Sequence, residues 1–104
     1  MKSLSTLSGR TLRIHLSGEL DHHAAKSTMS AIEREIDCHL PHDCVLDMAD
    51  LTFMDSSGIA VILKTLRRMN EIGGRVSVEN VRKQPLRVID AAGIERIISI
   101  TAAM

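Results

Sequence analysis

Leu51-Thr52-Phe53-Met54-Asp55-Ser56-Ser57-Gly58-Ile59-Ala60-Val61-Ile62-Leu63 is the stretch on which the reading of this chain turns. An apolar approach, Leu51 to Met54, runs into Asp55-Ser56-Ser57-Gly58, and apolar residues at helical spacing follow at once. Two hydroxyls and a carboxylate therefore stand where a strand hands over to a helix. A hydroxyl there can cap the helix, attack a substrate, or accept a phosphoryl group from a kinase, and the residues of this stretch leave all three open.

Downstream, Ile59, Ile62, Leu63, Leu66, Met69 and Ile72 continue the helical period and are expected to be buried, with Lys64, Arg67 and Arg68 on the opposite face. Gly73-Gly74 ends that helix, and Arg75 to Glu79 alternates as a strand through Val76 and Val78. Upstream, Cys44 to Met48 reads as a short apolar strand and Ala49-Asp50 as a turn. Cys44 to Glu79 is then a strand–helix–strand unit, which predicts parallel pairing and a right-handed crossover. Nearer the N-terminus, Thr11 to Ser17 alternates, with Leu12, Ile14 and Leu16 on one face. Ser8-Gly9-Arg10 supplies a turn that makes Lys2 to Leu7 an edge strand of a hairpin.

Gly18-Glu19-Leu20 closes the second strand, and Asp21 is the expected N-cap of a helix from His22 to about His39. Ala25, Met29, Ile32 and Ile36 mark its apolar face, and Leu40-Pro41-His42-Asp43 breaks it. Pro85 fits the first turn of a third helix, Gly93 its end, and Ile94 to Ile100 a last short strand. The fold class is α/β: one domain over 1–104, with helices on a mixed sheet of four or five strands around a βαβ crossover.

Composition narrows the function. Lys plus Arg is 13 and Asp plus Glu is 13, so no basic excess draws the chain to a polyanion. Phe53 is the sole aromatic residue, which removes base-stacking platforms and leaves an aliphatic core with methionine as filler. No nucleic acid, membrane, cofactor or metal is expected. No stretch has the length of a membrane span or the form of a signal peptide, so the expected compartment is the cytoplasm, with Cys38 and Cys44 as reduced thiols. Asp21-His22-His23 and Cys38-His39…His42-Asp43-Cys44 hold metal-ligating residue types without zinc-site spacing. A hydrolase built on Ser56 or Ser57 with His22 or His23 would lack the G-x-S-x-G elbow.

Two segments together carry a resemblance. Ser17-Gly18-Glu19-Leu20-Asp21-His22-His23-Ala24 and Leu51 to Ile59 resemble the signature stretches of anti-sigma factor antagonists, the bacterial branch of the STAS domain family. The likeness runs from about Leu4 to Ile100 and is strongest to the stage II sporulation type. Asn70 to Gly74 and Val88 to Gly93 also sit where that family has similar residues.

The resemblance implies a non-enzymatic regulator, expected to be a monomer. Its unphosphorylated form would bind an anti-sigma factor that is itself a serine kinase, and so release a sigma factor. Phosphorylation at Ser56 would abolish binding, and a PP2C-type phosphatase would restore it. Ser57 is the alternative acceptor and a competing N-cap. The implied docking face comprises Gly18, Glu19, Leu20, Asp21, His22, His23, Asp55, Ser56, Ser57 and Gly58, where Gly58 would give a kinase room to reach the backbone. Relatives commonly add a helix after the last strand, and Thr101-Ala102-Ala103-Met104 is expected not to form it. The other reading within the family is a constitutive subunit of a membrane transport assembly.

Overall fold

The structure, a computed structural model, describes residues 2–103. Strands β1 (Lys2–Ser8) and β2 (Thr11–Leu20) form the hairpin, followed by α1 (His22–His39), β3 (Asp43–Met54) and α2 (Ser56–Glu71). Then come β4 (Arg75–Val81), α3 (Lys83–Ala92), a single 3-10 turn at Ile94–Arg96, and β5 (Ser99–Ala102). The sheet order is β1-β2-β3-β4-β5, with β1 antiparallel to β2 and every later pair parallel.

That order explains the layering. Successive right-handed crossovers that step across a sheet in one direction leave their helices on one face. Leu12, Ile14 and Leu16 of β2 are fully buried beneath the helices, with Cys44, Leu46 and Met48 of β3 beside them in the same core. α1 adds Met29, Ile32 and Ile36, α2 adds Val61, Ile62 and Met69, and α3 adds Ile89. The register places Arg13, His15, Val45, Asp47, Ser77 and Glu79 on the other face.

Several expectations need correcting. Ala49-Asp50 is not a turn, because β3 runs unbroken from Asp43 to Met54. Its pairing with β2 slips by one residue twice, between His15↔Asp47 and Ser17↔Asp50, and again between Gly18↔Leu51 and Glu19↔Phe53. Each slip is a bulge that takes up an extra residue on β3. The first is braced by Asp47, whose Oδ1 accepts the Ala49 N–H at 3.1 Å.

Leu63 is exposed, and Thr65 occupies the inner face. Burial of Thr65 is tolerable because its hydroxyl donates to the Val61 carbonyl at 2.8 Å. The last strand begins only at Ser99, after the 3-10 turn, and β2 continues through Gly18 and Glu19 to Leu20. Thr101 and Ala102 belong to β5, and Met104 lies outside the described residues.

Candidate functional site

The parallel pairing of β2 with β3 brings the two sequence motifs together. Glu19 is registered with Phe53 and Leu20 with Met54, and the Asp55 N–H lies 3.4 Å from the Leu20 carbonyl. Thr52 Oγ1 donates to the Gly18 carbonyl at 3.1 Å, and Gly18 has φ +84°, a backbone that favours glycine. Both strands then end in the same way. Asp21 caps α1 with φ −105° and ψ −174°, and Asp55 caps α2 with φ −113° and ψ −167°. Asp21 Oδ1 accepts the Ala24 N–H at 3.0 Å, and Asp55 Oδ1 accepts the Ser57 N–H at 2.8 Å. Two capped helix N-termini thus open at one end of the sheet.

This separates the adjacent hydroxyls. Asp55 is the N-cap, so Ser57 is not, contrary to the expectation that it competed for that role. Ser56 is the first residue of α2 and is exposed, and its hydroxyl has no hydrogen bond among the described residues. Ser57 is half-buried and turns into a groove between α1 and α2 floored by Ala25, Met29 and Val61, with His22 and Lys64 at its rim. Neither hydroxyl is hydrogen-bonded to a histidine among the described residues, the link an acyl-transfer site would need.

Of the expected docking face, Gly18, Glu19, His22, His23 and Ser56 are exposed, and Asp21, Asp55 and Ser57 are half-buried. Leu20 and Gly58 lie underneath, with Leu20 fully buried in the core. Gly58 therefore does not open the backbone to a kinase. Its bare Cα faces inward, where a Cβ would overlap the Met54 side chain and crowd Leu20 Cδ2 at 3.3 Å. Glycine here lets α2 seat closely on the end of β3. Overpacking costs about 1–3 kcal/mol, offset by about 1 kcal/mol from the better helix propensity of alanine. Gly58→Ala is expected to destabilise by up to about 2 kcal/mol in urea unfolding. A variant as stable as the parent would show that α2 has slack at this point.

The basic stripe divides. Arg68 donates to Asp37 Oδ1 at 2.6 and 2.9 Å, tying α2 to α1, while Lys64 and Arg67 remain exposed near the groove. Cys44 is fully buried, which pushes its thiol up to about 12 and keeps it protonated, while Cys38 is exposed. No group of three or more His, Cys, Asp and Glu able to hold a metal occurs among the described residues. Nor, among those residues, is any helix long and apolar enough to cross a membrane.

Sequence reasoning missed Gln84. From the first turn of α3 it bonds the main chain of Met54, the residue immediately before Asp55. Its only sequence signal was its place beside Pro85 at a helix start.

A five-stranded sheet with three crossover helices on one face, and an Asp-Ser-Ser-Gly junction beside Gly-Glu-Leu-Asp, defines a class of small α/β domain. Residues 5–103 match the model of the STAS domain, and the chain belongs to that family. It is 36% identical over 89 residues to an anti-sigma F factor antagonist of Paenibacillus polymyxa, covering 86% of this chain and 76% of that protein. Among solved structures it resembles the anti-sigma factor antagonist SpoIIAA in its unphosphorylated form, with TM-score 0.82 and 27% identity over 95% of this chain and 87% of that one. The Bacillus cell fate determinant SpoIIAA in the phosphorylated form gives TM-score 0.72 and 27% identity, over 95% of this chain and 90% of that one.

Proposed function

We propose that the chain is an anti-sigma factor antagonist switched by phosphorylation at Ser56. Unmodified, it binds an anti-sigma factor that is a serine kinase and so frees a sigma factor; modified, it does not bind, until a PP2C-type phosphatase removes the phosphate. The kinase chemistry and its ATP belong to the partner.

One observation carries this reading: of the two adjacent hydroxyls, Ser56 alone is exposed, at the centre of a surface built from both motifs. The names of the relatives support the antagonist role, and the existence of a phosphorylated form of SpoIIAA supports a phosphate switch in a chain of this fold. A phosphoserine carries about −1.5 to −2 charges and three acceptor oxygens. At the first position of α2 it meets the favourable end of the helix dipole, so the fold tolerates it. Outward, it stands next to the Asp55 carboxylate and across from the end of β2, with Glu19 on the strand and Asp21 capping the helix that follows. The surface turns strongly acidic, and a partner face that matched it before is repelled.

The test is incubation of the chain with its cognate anti-sigma kinase and ATP, with the phosphate located by fragment mass spectrometry. Calorimetry of both forms against the same partner then reads binding. The expected result is one phosphate on Ser56 and loss of binding. Phosphate on Ser57, or tight binding by the modified form, would remove the proposal. A chain that copurifies with a transport ATPase and takes up no phosphate would instead be a constitutive subunit.

A further inference from the structure

β3 outruns one of its neighbours. β4 pairs with it only from Asp43↔Arg75 to Asp47↔Glu79, yet β3 continues to Met54. Beyond Asp47, β2 still lines one edge, and among the described residues no strand is paired along the opposite edge. Met54 is fully buried, and a buried N–H and C=O must find partners.

Gln84 supplies both. The Met54 N–H donates to Gln84 Oε1 at 2.8 Å, and Gln84 Nε2 donates to the Met54 carbonyl at 3.0 Å. A carboxamide carries a donor and an acceptor side by side, as a strand residue does, so one side chain replaces the missing strand. The buried Pro85 beside it fixes the backbone of that turn.

We infer that Gln84 is a positioning residue for Ser56. Its fork holds the last residue of β3, sets the direction in which the chain leaves for Asp55 and Ser56, and makes α3 part of the switch. The inference rests on Ser56 being the phosphate acceptor. Transfer to a hydroxyl needs that oxygen held in line with the incoming phosphoryl group, so a loosened anchor two residues away slows the transfer more than it weakens docking.

The experiment uses the full chain with Gln84→Met, which keeps the length and loses the amide, and Gln84→Glu, which keeps an acceptor for the Met54 N–H and loses the donor. Residue-resolved amide exchange is read first, without any kinase. In Gln84→Met the exchange rate of Met54 relative to that of Leu46 in central β3 is expected to rise about tenfold or more, with Gln84→Glu in between. With cognate kinase and ATP, kcat for Ser56 is expected to fall about tenfold in Gln84→Met while KM stays within about twofold.

An unchanged ratio, or equal acceleration at Met54 and Leu46, would overturn the inference, because Gln84 would then act on global stability only. So would an unchanged kcat in a variant whose Met54 amide has loosened. If the parent chain takes no phosphate at Ser56, the proposed function fails by that result alone. The exchange ratio still decides whether Gln84 holds Met54.

Discussion

Ser56→Asp is expected to leave thermal unfolding nearly unchanged and to weaken binding to the anti-sigma partner about a hundredfold or more, a loss of about 2.7 kcal/mol. The separation of the two effects follows from position. Ser56 is exposed and its hydroxyl bonds nothing among the described residues, so the substitution removes no packing and no hydrogen bond. A carboxylate in the first helical turn gains about 0.3–1 kcal/mol from the dipole. The neighbouring Asp55, which already takes the Ser57 amide, offsets part of that gain by like-charge repulsion. The new charge faces outward, where closing an interface over like charges costs several kcal/mol. One carboxylate carries less charge than a phosphate, so the phosphorylated form should bind more weakly still. Ser56→Ala should keep both fold and binding and take up no phosphate. Calorimetric titration and differential scanning calorimetry on the three chains decide it. Undiminished binding by Ser56→Asp, or a melting point lowered by many degrees, would count against the proposed switch at Ser56.

How much of this was legible in the sequence depended on whether side-chain period and backbone path agreed. Where they did, in β2 with Leu12, Ile14 and Leu16 and in α1 with Met29, Ile32 and Ile36, elements and buried faces match the expectation. They part company in β3. Met48, Leu51 and Met54 are all buried although they stand three apart, a spacing no regular strand can turn inward. The two bulges make it possible, since each extra residue flips the following side chains back to the core. Read in one dimension, the same residues look like a strand, a turn and another strand.

The site divides along similar lines. Asp55-Ser56-Ser57-Gly58 marks itself as a helix start, but which hydroxyl faces out depends on the rotation of α2. The rotation it adopts turns Gly58 onto Met54, a contact between residues that both read as merely permissive. Leu63 and Thr65 show the same limit, because hydrophobicity alone put leucine inside and could not foresee that Thr65 would bond its own helix. Gln84 was invisible for a further reason. Its role follows from β4 parting from β3 early, and strand lengths on the two sides of a crossover are not written in either strand.

Asp47→Ala is expected to destabilise the domain by about 1–3 kcal/mol. Asp47 lies on the face of the sheet away from the helices, yet it is 8% exposed and serves four groups. Its Oδ1 accepts the Ala49 N–H and Asn80 Nδ2, each at 3.1 Å. Its Oδ2 accepts from Arg13 at 2.9 Å and lies 3.5 Å from His15. Arg13 also reaches Glu79 and is a third exposed, so water compensates it when Asp47 is lost. The N–H of Ala49, an exposed residue in the bulge, and the half-buried Asn80 side chain also lose an acceptor. A donor wholly cut off from water costs about 1–3 kcal/mol, and partial access to water brings each of these two toward the lower end of that range. Asn80 also holds φ +59°, a conformation its bond to Asp47 helps to retain.

Burial alone would raise the Asp47 carboxyl. The hydrogen bonds from Asn80, Ala49 and Arg13, with the adjacent His15, outweigh it and hold the group below the usual carboxylate range. The unfolded chain therefore takes up this proton first as pH falls. The stability Asp47 contributes is complete above the unfolded value of about 3.9 and drains away as pH drops through the lower native value. Urea unfolding of the parent should weaken below about pH 4, and Asp47→Asn should lack that part of the decline. If Asp47→Asn followed the parent curve through that range, the carboxylate would not be the group that titrates. If Asp47→Ala cost less than about 1 kcal/mol, the bulge would not depend on it, and the path of β3 toward Asp55 would have to be fixed by Gln84 and the core alone.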